Sequence, residues 1–258
     1  MMKIRKYGKP PYVMALIHGG PGAIGELAPV ARELSAIGVL EPLQTRDSIS
    51  GLVDELKTSL MENAKLPVVL IGWSWGAWLS YIFAARYPAL VKKLILVSSG
   101  PFDEEYVATI MKTRLGRMSQ AEKKALKSLE SSFNNPKSGK DELLARFGRL
   151  FWRTDAFAPL DLHPKIKVSY DIYSSVWKEA SMLRRNGQLL RLGKKIKCPV
   201  VAIHGDYDPH PADGVKEPLS KVTKDFRFIL LRRCGHTPWN ERYAKKRFYS
   251  IIRKETSF

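Results

Sequence analysis

Cysteine is scarce in this sequence. Only Cys198 and Cys234 occur among 258 residues, and neither belongs to a Cys-x-x-Cys pair. So few cysteines exclude a disulfide framework for a chain of this length. We expect two reduced, mostly buried thiols in a cytoplasmic protein.

Long apolar runs are also missing. No uninterrupted apolar stretch approaches the roughly 20 residues that a membrane helix needs. The first residues are basic and then apolar, which faintly resembles a signal peptide. However, the apolar stretch YVMALI at 12–17 is shorter than the h-region of such peptides, and no small-x-small cleavage site follows it. We interpret it as a buried strand and predict no membrane segment.

Acidic residues are outnumbered, with 25 Asp and Glu against 43 Lys and Arg, which gives a formal net charge of +18. The excess is spread along the chain and is densest in RYAKKRFYSIIRK at 242–254. A surface for nucleic acid or another polyanion is one interpretation of this charge. No nucleic-acid-binding motif accompanies it, so a solvated basic helix face is favoured, and no nucleic-acid partner is predicted.

Apolar strand patterns alternate with helical patterns in two parts of the sequence, which predicts a doubly wound, mostly parallel α/β sheet of about six strands. The strand candidates lie at 12–17, 39–43, 66–72, 92–100, 198–205 and 225–235. Between 103 and 191 only helical patterns occur, and Ser119 with Glu122 forms a capping-box pattern there. We therefore predict a core made of 1–102 and 192–258, with a helical cap at 103–191 inserted in it.

The stretch GWSWG at 72–76 carries the chemistry-bearing pattern Gly-x-Ser-x-Gly. It follows the clearest buried strand and opens a helix, which is the setting of a nucleophile elbow. Such a sharp turn strains the serine backbone, so Gly72 and Gly76 fit the flanking positions. Ser74 is thus the predicted nucleophile, and the N–H of Trp75 at the helix start is placed to face an oxyanion.

A serine hydroxyl needs a base, and His236 lies just after the last strand, at the sheet edge where catalytic groups of α/β sheets collect. The loop HGDYDPHP at 204–211 offers two carboxylates, Asp206 and Asp208, either of which can orient the histidine. Their spacing does not choose between them. The alternation of His204 with these acids and His210 also suggests a metal site, but we interpret it as coincidence and predict no metal.

The loop HGGPG at 18–22 follows the first predicted strand, where a second oxyanion donor is expected. Pro21 has no N–H, so Gly20 or Gly22 is the donor. His18 is interpreted as a structural hydrogen-bonding residue rather than a second base.

Together these stretches resemble the α/β-hydrolase superfamily, and HGGPG with SWG is similar to its proline iminopeptidase branch. The resemblance covers about 12–102 and 198–255 and implies an α/β-hydrolase fold. Carried onto this sequence, it implies Asp208 rather than Asp206 as the triad acid, His236 as the base, and Gly20 with Trp75 as the oxyanion pair. The superfamily's first two antiparallel strands find no room before His18, which is why a shortened sheet is expected.

The resemblance implies a serine hydrolase that cleaves an ester or amide bond of a small acyl substrate through an acyl-enzyme, without a cofactor. Trp73 and Phe102 are candidate substrate contacts, although core packing is the commoner role of such residues. Iminopeptidase members have glycine where this sequence has Trp73, and no acidic residue of the insertion can be assigned to an amino group. An iminopeptidase and a non-hydrolytic binding protein on the same fold remain alternatives.

Overall fold

The computed structural model describes residues 3–133, 135, 139–161 and 167–257. Within them, seven strands form one sheet in the order β1-β3-β2-β4-β5-β6-β7. Only β1 runs antiparallel to its neighbour; all other neighbouring strands are parallel. The predicted doubly wound, mostly parallel sheet is therefore confirmed. The strands are β1 (Ile4–Tyr7), β2 (Met14–Ile17), β3 (Val39–Pro42), β4 (Val68–Trp73), β5 (Val91–Val97), β6 (Val200–Gly205) and β7 (Phe226–Leu231).

Strand β1 is the addition to the six predicted strands. It pairs with β3 at the edge of the sheet, so one antiparallel strand does precede His18. Its four residues IRKY include the exposed Arg5 and Lys6 and lack a run of buried side chains. A short, charged edge strand carries no apolar periodicity, which is why the sequence pattern missed it.

Helices cover both faces of the sheet, so the central strands are buried on both sides. Every residue of β2, β4 and β6 is buried, as expected for parallel strands between two helical layers. One layer consists of α1 (Ala28–Glu33) and α10 (Lys245–Thr256), and the other contains α2 (Ile49–Asn63), α3 (Trp75–Arg86) and α9 (Asp213–Val222). Ser48 caps α2 by accepting a hydrogen bond from the N–H of Gly51 at 3.2 Å.

Between β5 and β6 the described residues form helices and add no strand to the sheet. The predicted capping box is present: the Ser119 N–H donates to Glu122 at 2.8 Å, and the Glu122 N–H donates to the Ser119 hydroxyl at 3.3 Å. The stretch NNPKSGK at 134–140, whose composition is typical of a loop, lies partly outside the described residues. The helices are α4 (Val107–Arg117), α5 (Gln120–Phe133), α6 (Lys140–Asp155), α7 (Tyr170–Arg185) and α8 (Gln188–Arg191).

The two cysteines are free and buried, as predicted. Burial raises the pKa of the Cys198 thiol to about 11, which keeps it protonated near neutral pH. In the part of the chain that the structure describes, no helix has the length and apolar character that crossing a membrane requires.

Candidate active site

Ser74 occupies the tight turn between β4 and α3. Its backbone has φ 55° and ψ −119°, a conformation that residues with a side chain rarely adopt. The turn is held because the Ser74 N–H donates to the carbonyl of Val97 on the neighbouring strand at 3.0 Å. A strained, non-glycine residue fixed by its surroundings is typical of a functional position.

The glycines on either side of this turn are required by close packing. A Cβ atom on Gly76 would lie 2.2 Å from the carbonyl oxygen of Ile17, and one on Gly72 would lie 2.1 Å from the carbonyl oxygen of Gly76. Neither position can therefore carry a side chain without moving the backbone. The Gly-x-Ser-x-Gly pattern thus lets α3 approach β2 and β4 closely enough to form the turn.

His236 and Asp208 are hydrogen-bonded at the carboxyl ends of β7 and β6. Nδ1 of His236 lies 2.7 Å from Oδ2 of Asp208. The histidine loop is fixed on its other side, since the Trp73 indole N–H donates to the His236 carbonyl at 2.8 Å and the His236 N–H donates to the Asp155 carbonyl at 2.9 Å. The ring of His236 is therefore positioned by the carboxylate, and its backbone is fixed by Trp73 and Asp155.

Asp206, the other carboxylate of this loop, has a different environment. Its Oδ1 accepts a hydrogen bond from the N–H of Cys234 at 3.2 Å, and its Oδ2 lies 3.8 Å from Arg232. These contacts join the turn after β6 to the turn after β7. Asp208, and not Asp206, is the acid that the structure places against His236.

A second histidine, which the sequence reasoning did not single out for catalysis, shares this carboxylate. Nδ1 of His210 lies 2.7 Å from Oδ1 of Asp208, and the His210 N–H donates to the same oxygen at 3.0 Å. Burial alone would raise the pKa of Asp208, but His236, His210 and His204 hold it well below its usual range. Asp208 is thus an ionised carboxylate that accepts from two imidazoles.

Among the described residues, these side chains form the group that could hold a metal ion: ligand atoms of Asp208, His210 and His236 lie within 4.8 Å of one another. Because an ionised carboxylate can only accept hydrogen bonds, the nitrogen that faces it in each histidine carries a proton. The short contacts therefore describe a hydrogen-bonded cluster.

Ser74 and His236 line the same cavity, which has a volume of about 540 Å³. Its walls come from the loop after β2, the turn at Ser74, and the helices α4, α6 and α7. Such a volume suits a small organic ligand. Most of the wall is apolar or aromatic, including Trp73, Phe147, Phe151, Tyr173 and Trp177.

Gly20 and Trp75 both border this cavity, whereas Gly22 is not among the described residues that line it. Gly20 has φ 50°, and its carbonyl accepts from the N–H of Ala23 at 2.9 Å, so the loop turns sharply there. Trp75 is the first residue of α3, where a backbone N–H has no partner within the helix. Two backbone segments next to Ser74 can thus present donors to a ligand.

The charged groups of the cavity differ in how they are paired. Arg114 forms a two-pronged ion pair with the buried Asp155, and Arg149 donates to Glu142 at 3.0 Å. Glu26 has no hydrogen-bond or ion-pair partner among the described residues. Burial raises its pKa to about 8. Glu26 is therefore the cavity carboxyl available to a ligand, and no sequence motif indicated it.

The two predicted substrate contacts have different positions. Trp73 is on the cavity wall. Phe102 is a core residue, 1% exposed, that packs against Tyr81 with ring centroids 4.8 Å apart. It lies outside the set of described residues that line the cavity, because its side chain turns into the layer containing α3. The assignment of Phe102 as a substrate contact is corrected accordingly.

Comparison with known proteins identifies the family. A family model described as alpha/beta hydrolase fold matches residues 54–239, which is more than half of the chain. The chain belongs to the α/β-hydrolase family. The predicted resemblance and fold class are therefore confirmed. A search of curated protein sequences found no match to this chain.

Solved structures share the fold over nearly the whole chain. VinJ has 18% identity and a TM-score of 0.71, covering 98% of this chain and 93% of its own. A putative lipase from Acinetobacter baumannii has 20% identity and a TM-score of 0.65, covering 97% and 87%. Proline iminopeptidase from Mycobacterium smegmatis has 16% identity and a TM-score of 0.64, covering 98% and 93%. At these identities the similarity shows the fold alone.

Proposed function

We propose that this protein is a serine hydrolase that cleaves an ester or amide bond of a small acyl substrate through an acyl-enzyme. Ser74 is the nucleophile, His236 the general base and acid, and Asp208 the residue that orients the histidine. The observation that carries the proposal is that His236, whose ring lies 2.7 Å from Asp208, lines the same cavity as Ser74 in its strained turn. Nucleophile, base and orienting acid are the three parts that serine catalysis needs.

The reaction follows from these roles. The Ser74 hydroxyl attacks the acyl carbon while Nε2 of His236 takes its proton, and the negative charge moves to the carbonyl oxygen. The backbone N–H groups of Gly20 and Trp75 stabilise this oxyanion. His236 then returns the proton to the leaving alcohol or amine, which departs as the acyl-enzyme forms. Water, deprotonated by His236, then attacks the acyl carbon; His236 returns this proton to the Ser74 oxygen as the bond to the acyl group breaks, which releases the acid and free Ser74.

We further propose that the helical segment 103–191 acts as a cap that selects the acyl group. Its helices α6 and α7 contribute Phe147, Phe151, Tyr173 and Trp177 to the cavity that Ser74 lines. Aromatic side chains at this position favour an apolar acyl group of limited size, because the cavity encloses about 540 Å³.

A fluorophosphonate probe tests the proposed nucleophile. We expect the probe to label the wild-type protein at Ser74, identified by peptide mass spectrometry, and to leave Ser74→Ala unlabelled, because only an activated serine attacks phosphorus at a useful rate.

Ser98→Ala is the matched control for labelling. Ser98 follows β5, next to β4, and also has a positive φ, of 45°, but its hydroxyl is buried. This variant should be labelled as the wild type is. Labelling of Ser74→Ala would remove Ser74 from the mechanism. An unreactive wild type that retains a tightly bound small molecule would favour a binding protein on the same fold.

The iminopeptidase alternative is supported by Glu26. Four acidic residues of the insertion have other partners: Glu104 pairs with Arg184, Glu122 with Ser119, Asp141 with the N–H of Tyr170 and Asp155 with Arg114. Glu26 borders the cavity without a partner among the described residues. An ammonium group of an aminoacyl substrate would give this half-buried carboxyl a counter-charge.

Comparing two substrate types decides between ester and aminoacyl specificity. If the substrate is aminoacyl, Glu26→Gln should lower kcat/KM for an aminoacyl arylamide by about 10-fold or more and leave a neutral acyl ester nearly unaffected, since the ammonium keeps an oxygen acceptor but loses its charged partner. Glu142→Gln is the control, because Glu142 lines the same cavity but is paired with Arg149. Hydrolysis of esters only, with both variants equal to the wild type, would remove the iminopeptidase alternative.

A further inference from the structure

His210 is fixed in the site by several contacts at once. Its ring and its backbone N–H both approach Oδ1 of Asp208, and its carbonyl lies 2.8 Å from Nε2 of His204. Its ring also lies against that of His236, with centroids 4.6 Å apart. His210 is therefore packed between the proposed acid and the proposed base and borders the cavity as well.

Each of the two histidines contacts one carboxylate oxygen of Asp208. His236 takes Oδ2 and His210 takes Oδ1, both at 2.7 Å. Asp208 is anchored on each oxygen, which prevents the carboxylate from rotating away from His236. The Asp208 side chain is fully shielded from solvent, so water does not replace either partner.

We infer that His210 is a positioning residue for the proposed reaction: its ring N–H orients Asp208 and limits how strongly the carboxylate holds a proton on His236. The inference rests on the proposed function, because it concerns the same site. The segment after β6 would then supply two residues of the proposed site, Asp208 as the acid and His210 as the residue that positions it.

The ionisation of His210 agrees with this role. The titratable or charged groups that face its ring are Asp208, His236 and Arg114. Burial is the main cause that lowers the pKa of His210; Asp208 opposes it, and positive charge at Arg114 or at His236 acts in the same direction as burial. Near neutral pH the ring is therefore neutral, donates from Nδ1 to Asp208, and places no positive charge beside His236 when the latter is protonated.

Three substitutions at His210 separate a hydrogen-bonding role from a space-filling one. The amide nitrogen of Asn can occupy the position of Nδ1, whereas the longer Gln side chain places its amide near the position of Nε2. We expect His210→Ala and His210→Gln to lower kcat by about 10- to 100-fold, because the acid is no longer fixed. His210→Asn should restore most of the activity.

The pH profile of kcat/KM tests the hydrogen-bonding role of His210, because loss of a side chain that only fills space would leave this profile unchanged. Without the Nδ1–H donor, the negative charge of Asp208 is less neutralised and stabilises the His236 imidazolium more strongly. The acidic limb should therefore move to higher pH, by about half a unit or more, in the Ala and Gln variants but not in the Asn variant. Thermal unfolding of each variant is measured in parallel, so that loss of folded protein is identified.

The outcomes distinguish this inference from the proposed function. A fluorophosphonate-reactive wild type, with Asn and Gln variants equally impaired and acidic limbs unmoved, would overturn the role of His210 and leave the serine hydrolase in place. A wild type that is neither labelled nor hydrolytic would overturn both. Activity retained in His210→Asn alone, together with an acidic limb moved to higher pH in His210→Ala and His210→Gln, would establish the positioning role of His210.

Discussion

Ser74→Ala is expected to lower kcat for an acyl ester by about 10⁵-fold, while the free energy of unfolding changes by less than about 1 kcal/mol. In the proposed mechanism the hydroxyl contributes the bond-forming electron pair, so nothing else in the cavity can replace it. The backbone strain at φ 55° remains, since alanine has the same Cβ atom. Steady-state ester hydrolysis, with burst titration of active sites, measures the loss.

Ser74→Gly separates catalysis from strain at the same position. Removing the Cβ atom relieves the strain of the φ 55°, ψ −119° conformation. Glycine also raises the conformational entropy of the unfolded chain, which lowers stability, so we expect a net gain of about 1 kcal/mol in the free energy of unfolding. The variant should thus be inactive yet more stable than the wild type in chemical denaturation. This result would show that the wild-type protein loses stability by holding Ser74 in the strained turn that its proposed role requires.

Ser98→Gly is the control for this pair of substitutions. Ser98 also has a positive φ, 45°, and follows the neighbouring strand β5. The substitution should relieve strain there and leave ester hydrolysis unchanged. Equal losses of activity in Ser74→Gly and Ser98→Gly would show that the effect is one of folding rather than of the hydroxyl.

The fold could be predicted where the physical constraint is local. The strand β4, the turn at Ser74 and the helix α3 appear in the sequence as an apolar run, two glycines around a serine, and a second apolar run. Each of these follows from burial on both faces or from crowding in the turn. The edge strand β1 could not be predicted, because its pairing with β3 depends on residues about 35 positions away.

The site was predictable as a set of loops but not as a set of contacts. The order of Ser74, Asp208 and His236 along the strand ends indicated one rim. The spacing of the residues did not choose between Asp208 and Asp206; the family resemblance favoured Asp208, and the contact with His236 is visible only in the coordinates. The contacts of His210 and the burial of Glu26 depend on how the loops and the helical segment pack together. Phe102 was misassigned for the same reason: an aromatic after a strand can turn toward either the cavity or the core.

Asp208→Asn is the second substitution with a large expected effect, a fall in kcat of about 10³- to 10⁴-fold. The carboxylate now accepts from both His236 and His210. An amide has only one oxygen, so its NH₂ group must face one of the two imidazoles. That histidine must then present an unprotonated Nδ1, which for His236 is the wrong tautomer for taking the proton of Ser74.

Kinetics and stability together test this account. KM should change little, because Asp208 is buried behind the histidines and does not touch the substrate, while kcat carries the loss. Asp206→Asn is the matched control two residues away: its carboxylate receives the N–H of Cys234 and lies near Arg232. It should lower thermal stability slightly and keep most of the activity. If Asp206→Asn proved the more damaging for kcat, the hydrogen bond between Asp208 and His236 would not be the one that catalysis uses.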